Sequence, residues 1–268
     1  MGANADDPRP ITPVSELASL VLAPNPGPMT LDGTNSYVLR APGAAGAVVV
    51  DPGPAIDGHL RLLAEAGPVE LILLTHHHLD HTAGAAEFAS MTDAPVRAID
   101  PELCLGGGAP LADGERIEAA GLELEVIATP GHTADSMCVL LPGDGVHGAV
   151  LTGDTVLGRG STIIVDPDGS LGPYLDSLER LRTLASPGPV TVLPGHGPVL
   201  PDLAAICGAY LAHRAERLDQ VRAALAELGA EASAEEVTSL VYHDVDPALR
   251  RAAEASVRAQ LTYLRDRA

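Results

Sequence analysis

The stretch Thr75-His76-His77-His78-Leu79-Asp80-His81 decides how this sequence is interpreted. It directly follows the apolar run Leu71-Ile72-Leu73-Leu74, which is typical of a buried strand. In α/β proteins, ligands bind beyond the C-terminal ends of such strands. Four groups that commonly bind metals lie within these few residues, so we expect them to be metal ligands: His76, His78, Asp80 and His81. His77 alternates with two of them and is expected to point away from the metal.

Three further candidate ligands each follow a glycine at the end of an apolar run. They are His132 in Thr129-Pro130-Gly131-His132, Asp154 in Leu151-Thr152-Gly153-Asp154 and His196 in Leu193-Pro194-Gly195-His196. Glycine lets the backbone turn sharply, so each motif can direct one side chain into a common cleft. We therefore add these three residues to the predicted metal site.

Seven ligands are too many for one tetrahedral ion and fit two ions about 3.5–4 Å apart. Imidazole and carboxylate ligands without thiolate favour two Zn²⁺, with Fe or Mn as alternatives. We expect one ion to be bound by His76, His78 and His132. The other would be bound by Asp80, His81 and His196, and Asp154 would bridge the two ions through its two oxygens.

Composition excludes several classes of protein. The chain has 268 residues, is 46 % hydrophobic and has a formal net charge of −20, which argues against disorder and against a broadly basic nucleic-acid binder. All 16 cationic side chains are arginine, so a lysine Schiff base is excluded. The three cysteines are widely spaced and are expected to be free thiols.

The chain divides into three predicted parts. Residues 1–13 resemble neither a signal peptide nor a transit peptide and are expected to form a flexible tail. Residues 14–203 alternate strand and helix patterns, whereas 204–268 carry only helix patterns. No apolar run is long enough to span a membrane, so we expect a cytoplasmic protein without a membrane partner.

The predicted elements follow from apolar runs and from the Gly and Pro residues between them. The predicted strands are Ser36–Leu39, Ala47–Asp51, Leu71–Thr75, Val96–Ala98, Leu122–Ala128, Met137–Leu141, Ala149–Thr152 and Thr191–Pro194. The predicted helices are Ile56–Glu65, Thr82–Ser90, Gly172–Leu184, Leu203–Leu228, Ala234–Tyr242 and Pro247–Arg265.

The H-x-H-x-D-H motif, with the later His, Asp and His, resembles the metallo-β-lactamase fold superfamily. Asp154 as a further motif is similar to that of the glyoxalase II and RNase Z group. The stretches at 25–37, 154–162 and 194–199 resemble the β-lactamase-like protein 2 family, and the resemblance extends over nearly the whole chain from about residue 14. It implies an α/β fold, a four-layer αββα sandwich, followed by a small C-terminal helical, winged-helix-like domain. Strands that would form a wing are not evident here.

The resemblance implies a binuclear, zinc-dependent hydrolase that uses a metal-bridging hydroxide, with Asp80 and Asp154 as catalytic residues. Two substrate classes follow from it. Small acyl substrates (esters or thioesters) are favoured, because the charge of 1–203 is −18 and repels polyanions at long range. Single-stranded RNA, cleaved by an endoribonuclease activity, is the alternative. A β-lactamase and a non-catalytic, metal-stabilised interaction protein are weaker hypotheses.

Four residues around the ligands receive tentative roles. Asp51 follows an apolar run and is a candidate to orient a metal-binding side chain. Asn35, Arg159 and His213 are candidates for substrate contact, since Arg159 lies between two glycines close to Asp154. A homodimer is a further hypothesis that the sequence does not decide.

Overall fold

A computed structural model describes residues 10–244 and 246–267. The first nine residues of the predicted tail 1–13 lie outside the described residues. The end of this segment is part of a sheet, because Thr12–Pro13 form strand β1 and pair with a second strand that the sequence patterns did not predict. The ordered sandwich therefore begins before residue 14.

The strands are short and the helices lie between them and after them. The strands are β1 Thr12–Pro13, β2 Ala18–Leu22, β3 Asn35–Leu39, β4 Ala47–Val50, β5 Val69–Leu73, β6 Val96–Arg97, β7 Arg116–Ala119, β8 Leu122–Ala128, β9 Met137–Leu141, β10 Ala149–Gly153 and β11 Thr191–Pro194. The helices are α1 Asp57–Glu65, α2 Leu79–Thr82, α3 Ala85–Thr92, α4 Leu171–Leu184, α5 Leu203–Leu228, α6 Ala234–Val241 and α7 Arg250–Arg265. Two 3₁₀ turns occupy Pro101–Leu103 and Pro247–Leu249.

Two mixed sheets form the centre of the molecule. The first has the order β1-β2-β3-β4-β5-β6 and the second has the order β11-β10-β9-β8-β7. The pairs β4–β5 and β10–β11 are parallel. Within each pair, the loops that follow the two strands therefore begin at the same edge of the sheet.

Alternating side chains on the first sheet face two different layers. Val48 and Val50 point toward the second sheet, where they pack with Leu124 and Val139. Val49, between them, points the other way and packs with helical residues. Because both faces of these strands are covered, their sequences are continuous apolar runs rather than alternating ones.

Helices cover the outer face of each sheet. Leu60 and Leu63 of α1 and Phe88 of α3 pack against the first sheet. Tyr174, Leu178 and Leu181 of α4, with the first half of α5, pack against the second sheet. The layers are thus helix, sheet, sheet and helix, which confirms the predicted four-layer αββα sandwich.

The predicted helix Thr82–Ser90 is wrong in one respect, because the chain forms two helices that are separated at Gly84. The backbone N–H of Gly84 donates to the carbonyl of Gly53 at 2.9 Å. A Cβ at this position would lie 2.8 Å from Leu60 Cδ2, so the close approach of the two segments requires glycine. The contact interrupts the helix and starts α3 at Ala85.

Two strand ends were also predicted one residue or more too far. Strand β4 ends at Val50 because Asp51 adopts a left-handed conformation, with φ of 51°. Strand β5 ends at Leu73, and Thr75 belongs to the loop. Strands β1, β2 and β7 were not predicted at all, since all three are short and at least partly exposed.

The C-terminal helices belong to two packing clusters. The first half of α5 packs with α4, whereas Val221 and Ala224 pack with Val237 of α6 and Val257 of α7. The described part of 204–267 contains no strand. A domain boundary near residue 203 stays a prediction, because α5 runs through both clusters.

No helix among the described residues is both long and apolar enough to cross a lipid bilayer. The three cysteines are free, as predicted, and Cys138 of β9 and Cys207 of α5 are buried in the cluster that also contains residues of α4.

We expect Phe88→Ala to lower the free energy of unfolding by about 3–5 kcal/mol, because Phe88 is 0 % exposed beneath the first sheet. Val146→Ala serves as the matched control, since Val146 is 91 % exposed, and it should change stability by less than about 0.5 kcal/mol. Urea unfolding followed by circular dichroism measures both. Equal effects of the two substitutions would contradict the described packing.

Candidate metal centre

All seven predicted ligands lie at one edge of the sandwich. Loops after β5, β8, β10 and β11 carry them, and α2 begins within the first of these loops. The residues form two groups of three, in which the candidate ligand atoms lie within 4.8 Å of one another, with Asp154 beside both: His76, His78 and His132 in the first group, and Asp80, His81 and His196 in the second.

The glycines that precede three of these residues make the approach of the loops geometrically possible. Gly131 and Gly153 have φ values of 143° and 46°, which disfavour other residues. A Cβ on Gly195 would lie 2.6 Å from Asp154 Oδ1 and 2.8 Å from His81 Cε1. The predicted role of glycine in turning the backbone is confirmed for Gly131 and Gly153. Gly195 has a different role, because its lack of a side chain leaves room for Asp154 and His81.

The first group brings three imidazole nitrogens together. His78 Nδ1 lies 3.1 Å from His76 Nε2 and 3.1 Å from His132 Nε2. His76 is 1 % exposed and His132 is 8 % exposed, so solvent reaches this group from the side of His78. Burial and the neighbouring His81 lower the pKa of His76 well below its ordinary value, which keeps this imidazole neutral.

The second group combines two imidazoles and a carboxylate. His196 Nε2 lies 3.3 Å from His81 Nε2 and 3.1 Å from Asp80 Oδ2. Burial alone would lower the pKa of His196, but Asp154 and Asp80 raise it to about 10. This group therefore attracts positive charge.

Asp154 lies between the two groups. Its Oδ1 is 3.5 Å from His81 Nε2, and its Oδ2 is 3.4 Å from His196 Nε2 and 3.8 Å from His132 Nε2. Oδ1 is buried and has no hydrogen-bond partner among the described residues. Burial alone would raise the pKa of Asp154, yet the neighbouring His81 and His196 hold it well below its ordinary value. An unsatisfied buried carboxylate oxygen of this kind is costly unless a cation binds it.

The outward nitrogens of the histidines identify which nitrogens can bind a metal. His132 Nδ1 donates to the carbonyl of Ile163 at 2.9 Å, and His196 Nδ1 donates to that of Gly33 at 3.0 Å. His81 Nδ1 donates to Asp51 Oδ2 at 2.8 Å. In the deprotonated form that metal binding requires, an imidazole that donates outward directs a lone pair inward. Lone pairs and carboxylates that face one another fit divalent cations, so the residues present are suited to metal binding.

Asp51 has the geometry that a role in orienting a ligand requires. Its Oδ1 accepts the backbone N–H of Thr75 at 2.8 Å, and its Oδ2 accepts the Thr75 hydroxyl at 2.7 Å as well as His81. The Thr75 hydroxyl, which donates to Asp51, is left to accept from His76 Nδ1 at 3.0 Å. One carboxylate therefore fixes a ligand in each group.

His77 belongs to neither of these two groups, but with His78 and Asp168 it forms a further candidate metal group. Its Nδ1 lies 2.8 Å from Asp135 Oδ1 and its Nε2 lies 3.3 Å from Asp168 Oδ2. Asp168 Oδ2 also lies 3.5 Å from His78 Nε2. Sequence reasoning missed both aspartates and the role of Thr75, because no local pattern connects residues 135 and 168 with the histidine loop.

The three candidates for substrate contact occupy different environments. Asn35 is 2 % exposed, and its side-chain amide donates to the carbonyls of Pro194 and Gly197, both at 2.8 Å. This geometry favours positioning the His196 loop over contact with a substrate. Arg159 and His213 both line a cleft beside the metal centre, and Arg159 forms a bidentate ion pair with Asp32.

This cleft has a volume of about 340 Å³ and lies between the loops of the sandwich and the C-terminal helices. Asp154 and His132 form part of its wall, so it opens directly on the metal centre. Much of the remaining wall is apolar: Met29, Leu31, Leu157, Ile163 and Leu249. A substrate with an apolar portion can therefore lie next to Asp154.

Comparisons with known proteins agree with this geometry. The family model of the metallo-beta-lactamase superfamily matches residues 29–196. A beta-lactamase-like protein 2 homolog of Caenorhabditis elegans is 32 % identical over 267 residues, which cover 95 % of this chain and 86 % of the relative.

Two solved structures extend the similarity. A metallo-beta-lactamase family protein from Thermus thermophilus is 26 % identical, with a TM-score of 0.75 and coverage of 93 % of each chain. A protein solved in a di-iron-bound form is 28 % identical, with a TM-score of 0.54, and covers 70 % of this chain and 95 % of its own. With the matched sequence, the sandwich and the His and Asp groups all in agreement, the chain belongs to the metallo-beta-lactamase superfamily, whose members are typically metal-dependent hydrolases.

Proposed function

We propose that the protein binds two Zn²⁺ ions, with Fe or Mn as alternatives, and hydrolyses small ester or thioester substrates. The observation that supports this proposal is the largely apolar cleft, which ends at Asp154 and His132. An acyl chain fits such a cleft, because apolar walls remove it from water while the carbonyl carbon lies at the polar end. We place this activity in the cytoplasm.

Each of the two donor groups would supply the ligands of one ion. His76, His78 and His132 would hold one ion, and Asp80, His81 and His196 would hold the other. When bound, such ions supply Lewis acidity, which makes a water easier to deprotonate near neutral pH and polarises a substrate carbonyl. The absence of thiolate from both groups favours zinc or iron.

The protein's own residues position this chemistry. Asp154 Oδ1 lies toward the second donor group, and its Oδ2 lies toward both groups. Asp80, whose side chain is 29 % exposed, compensates positive charge in the second group. Asp51 and Thr75 hold His81 and His76 in the tautomers that direct lone pairs inward. Ligands held in advance in this way lose little freedom during the reaction.

Single-stranded RNA is the second candidate substrate, because three arginines line the cleft: Arg159, Arg214 and Arg217. Two observations weigh against it. Proteins that bind single-stranded RNA stack bases on aromatic side chains, and among the described cleft residues Tyr242 is the only Phe, Tyr or Trp, beside His132 and His213. The net charge of −20 also disfavours a polyanion at long range.

The β-lactamase and interaction-protein hypotheses receive less support. A non-catalytic protein would not need an open cleft at the metal centre, whereas this cleft has about 340 Å³ of free volume. The cleft extends from Asp154 to the C-terminal helices, so it can hold a longer substrate than a pocket at the metal centre alone.

The proposal is tested by measuring hydrolysis of a panel of substrates together with elemental analysis of the purified protein. We expect about two metal ions per chain and turnover of acyl thioesters above that of a chromogenic lactam and single-stranded RNA. Cleavage of RNA in preference to every thioester would replace the proposed function with the alternative one. A metal-free protein that turns over none of the panel would exclude both.

Asp154→Ala should reduce bound metal and abolish hydrolysis, since it removes the oxygens that lie between the two donor groups. We expect a loss in kcat/KM of at least about 1,000-fold, comparable with losing a catalytic group elsewhere. His147→Ala is the control, because His147 is exposed and lies outside both groups. Full activity of the Asp154 variant would refute the proposed metal centre.

Asp51→Asn should lower metal affinity by about 10–100-fold without unfolding the protein. The amide has only one acceptor oxygen, whereas the carboxylate accepts the Thr75 backbone N–H with one oxygen and the His81 Nδ1–H with the other. The amide therefore cannot reproduce both hydrogen bonds. Asp144→Asn is a matched control, because Asp144 is also buried but bonds to Ser15 and Glu16. Competition with a zinc-sensitive chelator measures both affinities, and equal values for the two variants would contradict a role for Asp51.

A further inference from the structure

Arg214 of α5 is a buried cation that pairs with no carboxylate among the described residues. Its side chain belongs to the cleft wall, yet the residue is only 4 % exposed. Its guanidinium donates to the carbonyl of Thr162 and lies 5.1 Å from the ring centre of Tyr174. Its Nε is buried with no hydrogen-bond partner among the described residues. No carboxylate oxygen in the described parts of the chain lies within 4.0 Å of this guanidinium.

Two other arginines, one partly buried and one in the same cleft, pair with carboxylates. Arg97, whose side chain is 18 % exposed, pairs with Glu115 at 2.7 Å. Arg159, in the same cleft, pairs with Asp32. A guanidinium remains charged at any pH a cell reaches, and buried charges are normally paired. Arg214 therefore has a charge and a donor that the protein itself leaves unmatched.

Arg217 lies one helical turn from Arg214 and also lines the cleft. Its partners are uncharged: its Nη1 donates to Gln220 Oε1 at 2.8 Å, its Nε donates to His213 Nε2 at 3.4 Å, and its guanidinium lies 5.0 Å from the ring centre of Tyr242. Burial and the two arginines lower the pKa of His213, so this imidazole does not add a competing charge. Within the described residues, no carboxylate pairs with Arg217 either.

Only one carboxylate, Asp154, belongs to the described wall of the cleft, and the proposed function assigns it to metal. Arg214 is connected to Asp154 through two hydrogen bonds. Arg214 donates to the carbonyl of Thr162, whose hydroxyl donates to the carbonyl of Asp154 at 2.8 Å. The unmatched positive charge is therefore adjacent to the metal centre.

We propose that Arg214 and Arg217 bind an anionic group, a carboxylate or a phosphate, on the substrate. The inference rests on the proposed function and specifies its substrate class: an ester or thioester that carries a negative charge on its acyl chain or on its leaving group. Arg214 offers its unmatched Nε–H, and Arg217 supplies a second guanidinium on the same helix face. The apolar wall accommodates the uncharged part of the molecule.

Matched thioesters test this proposal. Glutaryl and pentanoyl thioesters of N-acetylcysteamine differ by a carboxylate on the acyl side. Pentanoyl thioesters of phosphopantetheine and pantetheine differ by a phosphate on the leaving group. We expect the wild type to show a kcat/KM about 10–100-fold higher for the charged member of one pair, since charge-assisted hydrogen bonds give discrimination of this size.

Arg217→Gln should reduce that preference about tenfold or more, mainly through the KM of the charged thioester, and should affect the uncharged thioester much less. Arg214→Lys keeps the charge of the buried residue and should reduce the preference partially. Arg222→Gln is the matched control, because Arg222 lies on the same helix, pairs with Asp219 and is 55 % exposed. Equal kcat/KM for both members of each pair in the wild type would overturn the proposal, as would an unchanged preference in Arg217→Gln.

Binding measured without turnover separates this inference from the proposed function. Glutarate or inorganic phosphate should raise the melting temperature of the wild type and of Arg222→Gln, and should raise that of Arg217→Gln less. If no thioester is hydrolysed but this difference is found, the proposed function fails and the anion site stands. Equal shifts in all three proteins would overturn the anion site. Preferential RNA cleavage that Arg217→Gln weakens would overturn the small-molecule assignment.

Discussion

The carboxylate of Asp51 connects the fold to the metal centre. It lies at the end of β4, next to the parallel strand β5, and accepts both the backbone N–H and the hydroxyl of Thr75 at the end of that neighbour. Its second oxygen also accepts His81. The sheet register therefore sets where the histidine loop begins, and the same carboxylate fixes the tautomer of a ligand. The left-handed φ of 51° at Asp51 is a local cost, of order 1–2 kcal/mol, that this network holds in place.

Close approach of the other loops is the second requirement of the site. Gly131 and Gly153 turn with positive φ, and Gly195 leaves space for the Asp154 carboxylate and for His81. Side chains at these positions would displace backbone or ligands. The glycines cost more conformational entropy on folding than other residues would, but they allow the loops to lie close together. Asn35 completes the arrangement, because its amide holds the loop of His196 against β3.

The convergence of the seven candidate ligands could be predicted from sequence because each member follows a strand, and strand ends converge at one edge of a sheet. The four-layer architecture followed from the resemblance, and continuous apolar runs such as Val48-Val49-Val50 agreed with sheets covered on both faces. Strands β2 and β7 were missed because they are short and half-buried, and the break at Gly84 depends on a contact with Gly53.

Residues that act through tertiary contacts had no local signal. Asp168 and Asp135 reach His77 from more than 50 residues away, and Arg214 reaches the Asp154 loop through Thr162. No local pattern in the sequence distinguishes Arg214 from the other arginines of the helical part. Its isolation from carboxylates depends on which side chains surround it, and that is determined by how α5 packs on the loop at 155–163.

The acidity of the chain and the cationic cleft act over different distances. A net charge of −20 repels anions from the whole surface, but at physiological ionic strength this repulsion is screened beyond about 8 Å. The guanidinium of Arg214, which is 4 % exposed, lies in a less polar environment, where screening is weaker and a charged hydrogen bond is stronger. The acidic surface therefore disfavours a long polyanion that must lie along it. A small substrate with one or two charges meets that repulsion only briefly and then interacts mainly with the cleft.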